Sequence, residues 1–149
     1  MPRAQSVVTQ NGKILIVKHQ QDGVEWWCLP GGAVETGETP QQAAIRELAE
    51  ECNVRGRLVR RISLQESTDD DVTITYLVDI GDQEPVLGSD PEFLQDDQVL
   101  VDLGWRSLDE IPERDRVFLW AAGLVGINGY IDEVESWGSQ ISYPHNLSD

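Results

Sequence analysis

Cysteine, histidine and basic side chains are scarce in this 149-residue chain, and each shortage narrows what it can do. The two cysteines, Cys28 and Cys52, are too few for a disulfide framework. No CxxC or Cys/His cluster of the kind that grips zinc is present. Both cysteines read as ordinary buried thiols. The two histidines, His19 and His145, have no obvious Cys or Ser partner for a nucleophile–base pair, and both read as surface or loop residues. No run of about 18 apolar residues occurs, which excludes a membrane-spanning helix. The start, Met1 to Gln5, lacks the apolar core of a signal peptide, so the expected location is the cytoplasm. Lys and Arg number 11 against 27 Asp and Glu, a formal net charge of −16. Such a field argues against binding nucleic-acid polymers or an anionic membrane. A small phosphorylated substrate is still allowed, provided that divalent cations stand between the two sets of negative charge.

What is present suits one domain. Apolar residues make up 40% of the chain, enough for a core of ordinary size. The expectation is a single domain over 1–149, with its core at about 5–127 and a partly ordered tail at 128–149. Residues 6–9 and 13–17 are rich in β-branched side chains and flank Asn11-Gly12, a strong hairpin signal. A second turn at 20–23 precedes a third strand at 25–29, after which Pro30-Gly31-Gly32 is expected to end regular pairing. Residues 40–52 predict a helix. Thr39 is its N-cap, Pro40 lies in its first turn, Gln42 completes a capping box, and Asn53 is a left-handed C-cap. Strands are predicted at 57–65 and 72–80, with 68–71 as the turn between them. Residues 81–98 are acidic, contain Pro85, Gly88 and Pro91, and read as a long loop with a short helical piece near 92–95; loops of that length are often functional. A last strand at 99–105, a short turn capped by Ser107 and a second helix at 114–127 complete the pattern. The fold class is α/β with a mixed sheet.

On the 40–52 helix, Glu47, Glu50 and Glu51 stand at i, i+3 and i+4 and share one stripe, within about 100° of arc. Ile45, Leu48, Ala49 and Cys52 fall roughly opposite, so the expectation is one buried apolar face and one face presenting three carboxylates. Like charges at these spacings cost about 0.2–0.5 kcal/mol per pair. Their place near the helix C-terminus is unfavourable as well. Hard divalent ions would reverse the sign, since they prefer carboxylate oxygens. Taken alone, such a stripe is most often a solvated acidic surface.

The preceding residues change that balance. Gly32 and Glu38, then Arg46-Glu47-Leu48-Ala49-Glu50-Glu51 and Val54, follow the spacing G-x5-E-x7-R-E-U-x-E-E-x-G-U, where U is aliphatic. This resembles the Nudix box over 23 residues, from Gly32 to Val54, with one departure: Asn53 stands where the family has glycine. A chance match at the six fixed charged and glycine positions is on the order of one in a million or less per starting point. Asparagine is the next most tolerant residue for a left-handed backbone, so the geometry is expected to survive. Trp27 to Gly32 resembles the usual lead-in to the box, and Trp105 with Leu108-Asp109-Glu110 resembles a common downstream segment.

The resemblance implies a Nudix fold, a mixed β-sheet sandwiched between α-helices, and a hydrolase that cleaves phosphoric anhydride bonds. Its substrate would be a nucleoside diphosphate linked to a further group X: a nucleoside triphosphate, a nucleotide sugar or an ADP-ribose-like molecule. Glu47, Glu50 and Glu51 would ligate Mg²⁺, or Mn²⁺ in its place, with the Gly31 carbonyl completing the site. Glu38 and Arg46 would support the loop and orient the carboxylates. Metal would position water, lower its pKa and stabilise the leaving phosphate. The general base would be Glu50 or Glu51, or an acid of the long loop among Asp90, Glu92, Asp96 and Asp97. Gly32, Trp26, Glu92 and Asp97 are candidate substrate-binding residues. Trp26, Tyr76, Phe93 and Trp105 can stack on a base, although Trp27 and Trp105 read better as core. The proline or tyrosine that marks known subclasses downstream of the box is missing at 68–71, so the resemblance does not name X. Homodimers are frequent in the family, and a homodimer is the expectation carried from it. Two other readings compete: a catalytically silent Nudix-fold module that senses a nucleotide or mediates protein contacts, and an acidic domain with a calcium site. The intact glutamates count against the first, and the lack of a Dx[DN]xDG loop counts against the second.

Overall fold

The computed structural model describes residues 2–66, 71–88, 99–112 and 115. Strands β1 (Arg3–Val7), β5 (Gly31–Ala33), β6 (Arg57–Glu66) and β7 (Val72–Asp79) form one sheet in the order β5-β1-β7-β6. It is mixed: β1 runs parallel to β7, while β5–β1 and β6–β7 are antiparallel. In the second sheet β2 (Thr9–Gln10) and β4 (Val24–Cys28) pair with β3 (Lys13–Gln21), and β8 (Val99–Arg106) also pairs with β3. The chain crosses from one sheet to the other at Val8, between β1 and β2.

Turn chemistry sets the hairpins. Asn11 and Gly12 hold φ of 52° and 76°, and Asp22 and Gly23 hold 52° and 80°. Positive φ at both central residues matches the right-handed twist of the flanking strands. The stretch after Pro30 departs from expectation. Pairing does not end there: Gly31, Gly32 and Ala33 lie opposite Gln5, Ala4 and Arg3 as the edge strand β5. Bare Cα atoms permit this approach, because a Cβ at Gly31 would lie 2.5 Å from the Ala4 carbonyl oxygen and 2.6 Å from Gln5 Cβ.

Helix α1 (Pro40–Cys52) has the predicted bounds and caps. Gln42 N donates to Thr39 Oγ1 at 3.1 Å, and Thr39 N donates to Gln42 Oε1 at 2.9 Å. At the other end Asn53 adopts φ 55°, ψ 36°. After β8, a 3-10 turn at Leu108–Glu110 is capped by Ser107, again as predicted.

Apolar side chains gather in two clusters. The first holds Ala44, Leu48 and Cys52 of α1 against Ala4, Leu15, Val17, Tyr76 and Val78. The second holds Val7, Ile14, Ile16, Trp27, Leu29, Leu108 and Ile111. Successive residues of β3 therefore serve different clusters, which is why residues 14–17 are apolar without alternation. Trp27 is core and Trp105 packs against the first cluster, as expected. His19 is not the surface histidine predicted: it is 4% exposed and stacks on Trp26, ring centroids 5.7 Å apart. Alternation along β3 turns its ring to the inner side, and the neighbouring strand supplies an aromatic cover.

No helix among the described residues is long and apolar enough to cross a membrane. The predicted short helix at 92–95, the second helix at 114–127 except Asp115, the tail at 128–149 and His145 lie outside the described residues.

Candidate functional site

The box helix turns Glu47 and Glu51 away from solvent and leaves Glu50 at the rim. Glu47 and Glu51 are fully buried, in the same face as Ala43, Ala44, Leu48 and Cys52, while Ala49 is exposed and Glu50 half-buried. This corrects the acidic face at Glu47 and Glu51; of the expected apolar face, Ile45, Leu48 and Cys52 pack in the core and Ala49 does not. At about 100° per residue Glu47 and Glu51 are some 40° apart, and Ala44 sits just beyond them, so all three point the same way. That direction is toward β1 and β5: Ser6 Oγ of β1 donates to Ala44 O at 3.4 Å, and β5 closes over the two glutamates.

The local sequence makes room for the buried acids. Gly31 N donates to Glu51 Oε1 at 3.0 Å. Gly32 faces Glu47 with no side chain, and a Cβ there would lie 2.6 Å from Glu47 Cδ. Gly32→Ala is therefore expected to be overpacked by about 1–3 kcal/mol. Scanning calorimetry should show a melting point lower by roughly 3–10 °C.

Arg46 is the hub of the loop–helix junction. Its Nε donates to Glu38 Oε2 at 2.8 Å and its Nη2 to Glu38 Oε1 at 3.1 Å, a bidentate pair. Nη2 also donates to Ala33 O at 3.0 Å. Nη1 reaches Glu47 Oε1 at 3.0 Å and Glu50 Oε2 at 3.2 Å, with Glu35 Oε1 3.8 Å away. Glu38 in turn accepts from Glu35 N at 3.1 Å, which closes the turn before the helix. The Arg46 hydrogen bonds, helped by the Glu35 amide, hold the Glu38 carboxyl below its usual range, and Glu38 chiefly raises Arg46. Burial, with the Glu51 charge beside it, raises the Cys28 and Cys52 thiols far above neutrality. Cys52 is the buried thiol expected, and Cys28 is half-buried against the first cluster.

One guanidinium serves Glu38, Glu47 and Glu50, and Glu51 faces a backbone amide. Among the described residues Arg46 is the cation within 4 Å of Glu38, Glu47 and Glu50. Among the described residues no three acidic, histidine or cysteine side chains converge as a ready-made metal cage. Arg46 Nη1 stands between Glu47 and Glu50. The donor set nonetheless fits a hard divalent ion: three carboxylates on adjacent turns, with glycine backbone beside two of them. Gly31 reaches this cluster through its amide N–H.

The structure brings together Gly31, Gly32, Glu38, Arg46, Glu47, Glu50 and Glu51. Trp26 is half-buried on β4 and its ring meets His19. Glu92 and Asp97, with the other loop acids Asp90 and Asp96, lie outside the described residues. Sequence reading missed Asp115, which is 2% exposed and accepts a hydrogen bond from Trp27 N at 3.0 Å. One acid in so acidic a chain gives no signal of this. Reading also missed the side-chain contact of Asn53, whose Nδ2 donates to Val86 O at 2.8 Å.

Comparison with known proteins follows the same outline. A family model described as the NUDIX domain matches residues 1–124. An ADP-ribose pyrophosphatase of Methanocaldococcus jannaschii is 29% identical over 90 residues, 56% of this chain and 53% of that protein. A putative 8-oxo-dGTP diphosphatase of Bacillus subtilis is 38% identical over 58 residues, 39% of this chain and 38% of that one. The chain thus spans about half the length of the first and less of the second. Among solved structures, a MutT NUDIX hydrolase from Burkholderia pseudomallei superposes with a TM-score of 0.62 at 23% identity, covering 80% of this chain and 95% of that one.

Proposed function

The chain belongs to the NUDIX family, and from that premise we propose that it is a metal-dependent pyrophosphohydrolase cleaving a nucleoside diphosphate linked to X. The observation that carries the proposal is the pair of fully buried carboxylates, Glu47 and Glu51, held against glycine backbone with Glu50 at the rim. Burying ionised groups is costly unless they are paired or metal-bound, and a divalent ion beside Glu47 and Glu51 would offset that cost.

In this reading Glu47, Glu50 and Glu51 hold Mg²⁺ or Mn²⁺. Once bound, the ion would neutralise the diphosphate oxygens and activate water. Arg46 and Glu38 keep the β5–α1 loop in place. Gly31 orients Glu51 through its amide, and Gly32 leaves space beside Glu47. Of the two box acids expected as general base, Glu50 is favoured, because 32% of its side chain is open to solvent while Glu51 is enclosed. The names of the two relatives support a nucleotide carrying a diphosphate as substrate.

A panel of ADP-ribose, 8-oxo-dGTP, unmodified nucleoside triphosphates and a nucleotide sugar, assayed for product phosphates with Mg²⁺, tests this. The expected outcome is turnover of at least one member, on the order of 1 s⁻¹ or faster. Binding without cleavage across the panel would support the silent nucleotide-sensing module instead.

A further inference from the structure

The last turn of α1 carries Glu50 and Glu51, and a distant segment braces it. A helix leaves its final carbonyls without intrahelical donors. Here the chain after β7 supplies two of them: Val86 N donates to Cys52 O at 2.9 Å and Gly88 N to Glu51 O at 2.8 Å. Asn53 returns the bond, its Nδ2 donating to Val86 O at 2.8 Å. At the other end of this strap, Gln83 Oε1 accepts from Arg55 N at 2.9 Å, and its Nε2 donates to Arg55 O and Ile80 O at 2.8 and 2.7 Å. Gly88 lies so close to the helix that a Cβ would collide with the Glu50 carbonyl oxygen and stand 3.3 Å from Asn53 Nδ2.

Two features separate this contact from ordinary core packing. Val86 is 59% exposed while Pro85 and Leu87 are half-buried, and hydrogen bonds tie the strap down at both ends. The atoms it grips are the main-chain oxygens of Glu51 and Cys52, with Glu50 against Gly88. Asn53 occupies the one position where the box departs from its pattern. Glycine there would keep the left-handed backbone and lose the donor.

We propose that Asn53 and Gly88 are positioning residues that staple residues 83–88 to the last turn of α1 and so set the orientation in which Glu50 and Glu51 bind a divalent ion. The proposal rests on the hydrolase reading above. Asn53→Gly removes the side-chain bond and keeps a residue suited to the left-handed backbone, and Gly88→Ala pushes the strap off the helix.

The test combines Mn²⁺ titration followed by electron paramagnetic resonance, amide hydrogen exchange, and steady-state kinetics. In Asn53→Gly the Mn²⁺ dissociation constant is expected to rise about three- to tenfold, the effect of one lost hydrogen bond. The Val86 and Gly88 amides should exchange at least about tenfold faster. Turnover should fall while KM for the nucleotide stays within about twofold. The melting point should move by no more than about 2 °C. Gly88→Ala should shift every one of these further in the same direction, melting point aside. Unchanged Mn²⁺ affinity in both variants would overturn the proposal, as would a loss of affinity that appears only in step with unfolding. The Mn²⁺ and exchange arms need no turnover, so absent cleavage by the parent protein would count against the hydrolase reading alone. Failure of the parent protein to bind Mn²⁺ would count against both.

Discussion

Glu51→Gln is expected to lower diphosphate turnover by about two to three orders of magnitude, a barrier increase of roughly 2.7–4 kcal/mol. Glutamine has the same shape, and its amide oxygen can still accept the Gly31 N–H that Glu51 accepts at 3.0 Å. What disappears is a negative charge in a fully buried position on the last turn of α1. Glu47 nearby and the negative end of the helix dipole both act against that charge in the absence of metal. The variant should therefore melt at the parent temperature or above it in chelator. In Mg²⁺ the order should reverse, because the parent gains stability from the ion and the variant gains less. Rates within tenfold of the parent would remove Glu51 from the metal-binding set. Opposite movement of activity and metal-free stability is the signature of a functional charge rather than a structural one.

Arg46→Ala should do the reverse and destabilise the protein. Glu38, Glu47 and Glu50 share this one guanidinium, and Glu47 has no exposure to water. Removing one partner of a buried pair costs about 3–5 kcal/mol. Arg46 itself is 22% exposed, and solvent screening reduces that to about 2–4 kcal/mol. For a domain of this size the melting point should fall by roughly 5–15 °C. Mg²⁺ should recover part of the loss, since a divalent ion supplies positive charge to the same carboxylates. Arg46→Lys keeps a charge but not the two-pronged grip on Glu38, and should lie between. Thermal melts of both variants in chelator and in Mg²⁺ check the ordering; a melting point equal to the parent's in chelator would contradict it.

Features set by neighbouring residues were legible in the sequence. The bounds of α1 follow from Thr39, Gln42 and Asn53, which act within a turn of the helix ends. Both hairpin turns follow from Asn11-Gly12 and Asp22-Gly23, where residue type and positive φ agree. The grouping of the box glutamates was legible too, because box spacing places Glu47, Glu50 and Glu51 on one side of a helix. Their burial was not. A stripe says which residues share a direction, but what covers that direction is β5, and Gly31-Gly32-Ala33 has no strand propensity of its own. The same limit applies to Asn53, whose partner Val86 is 33 positions away, and to Asp115, 88 positions from the Trp27 amide it receives. Long-range hydrogen bonds leave no periodic trace in a single sequence.

The central claim is that these buried carboxylates serve metal-dependent attack of water on phosphorus. Its most direct test is ³¹P NMR of the panel diphosphates incubated with the protein in ¹⁸O-labelled water, with Mg²⁺ and then with excess chelator. The account predicts an ¹⁸O-shifted phosphate resonance that appears with Mg²⁺ and is abolished by the chelator. An unchanged spectrum for every diphosphate in Mg²⁺, or cleavage that proceeds equally well in chelator, would contradict it.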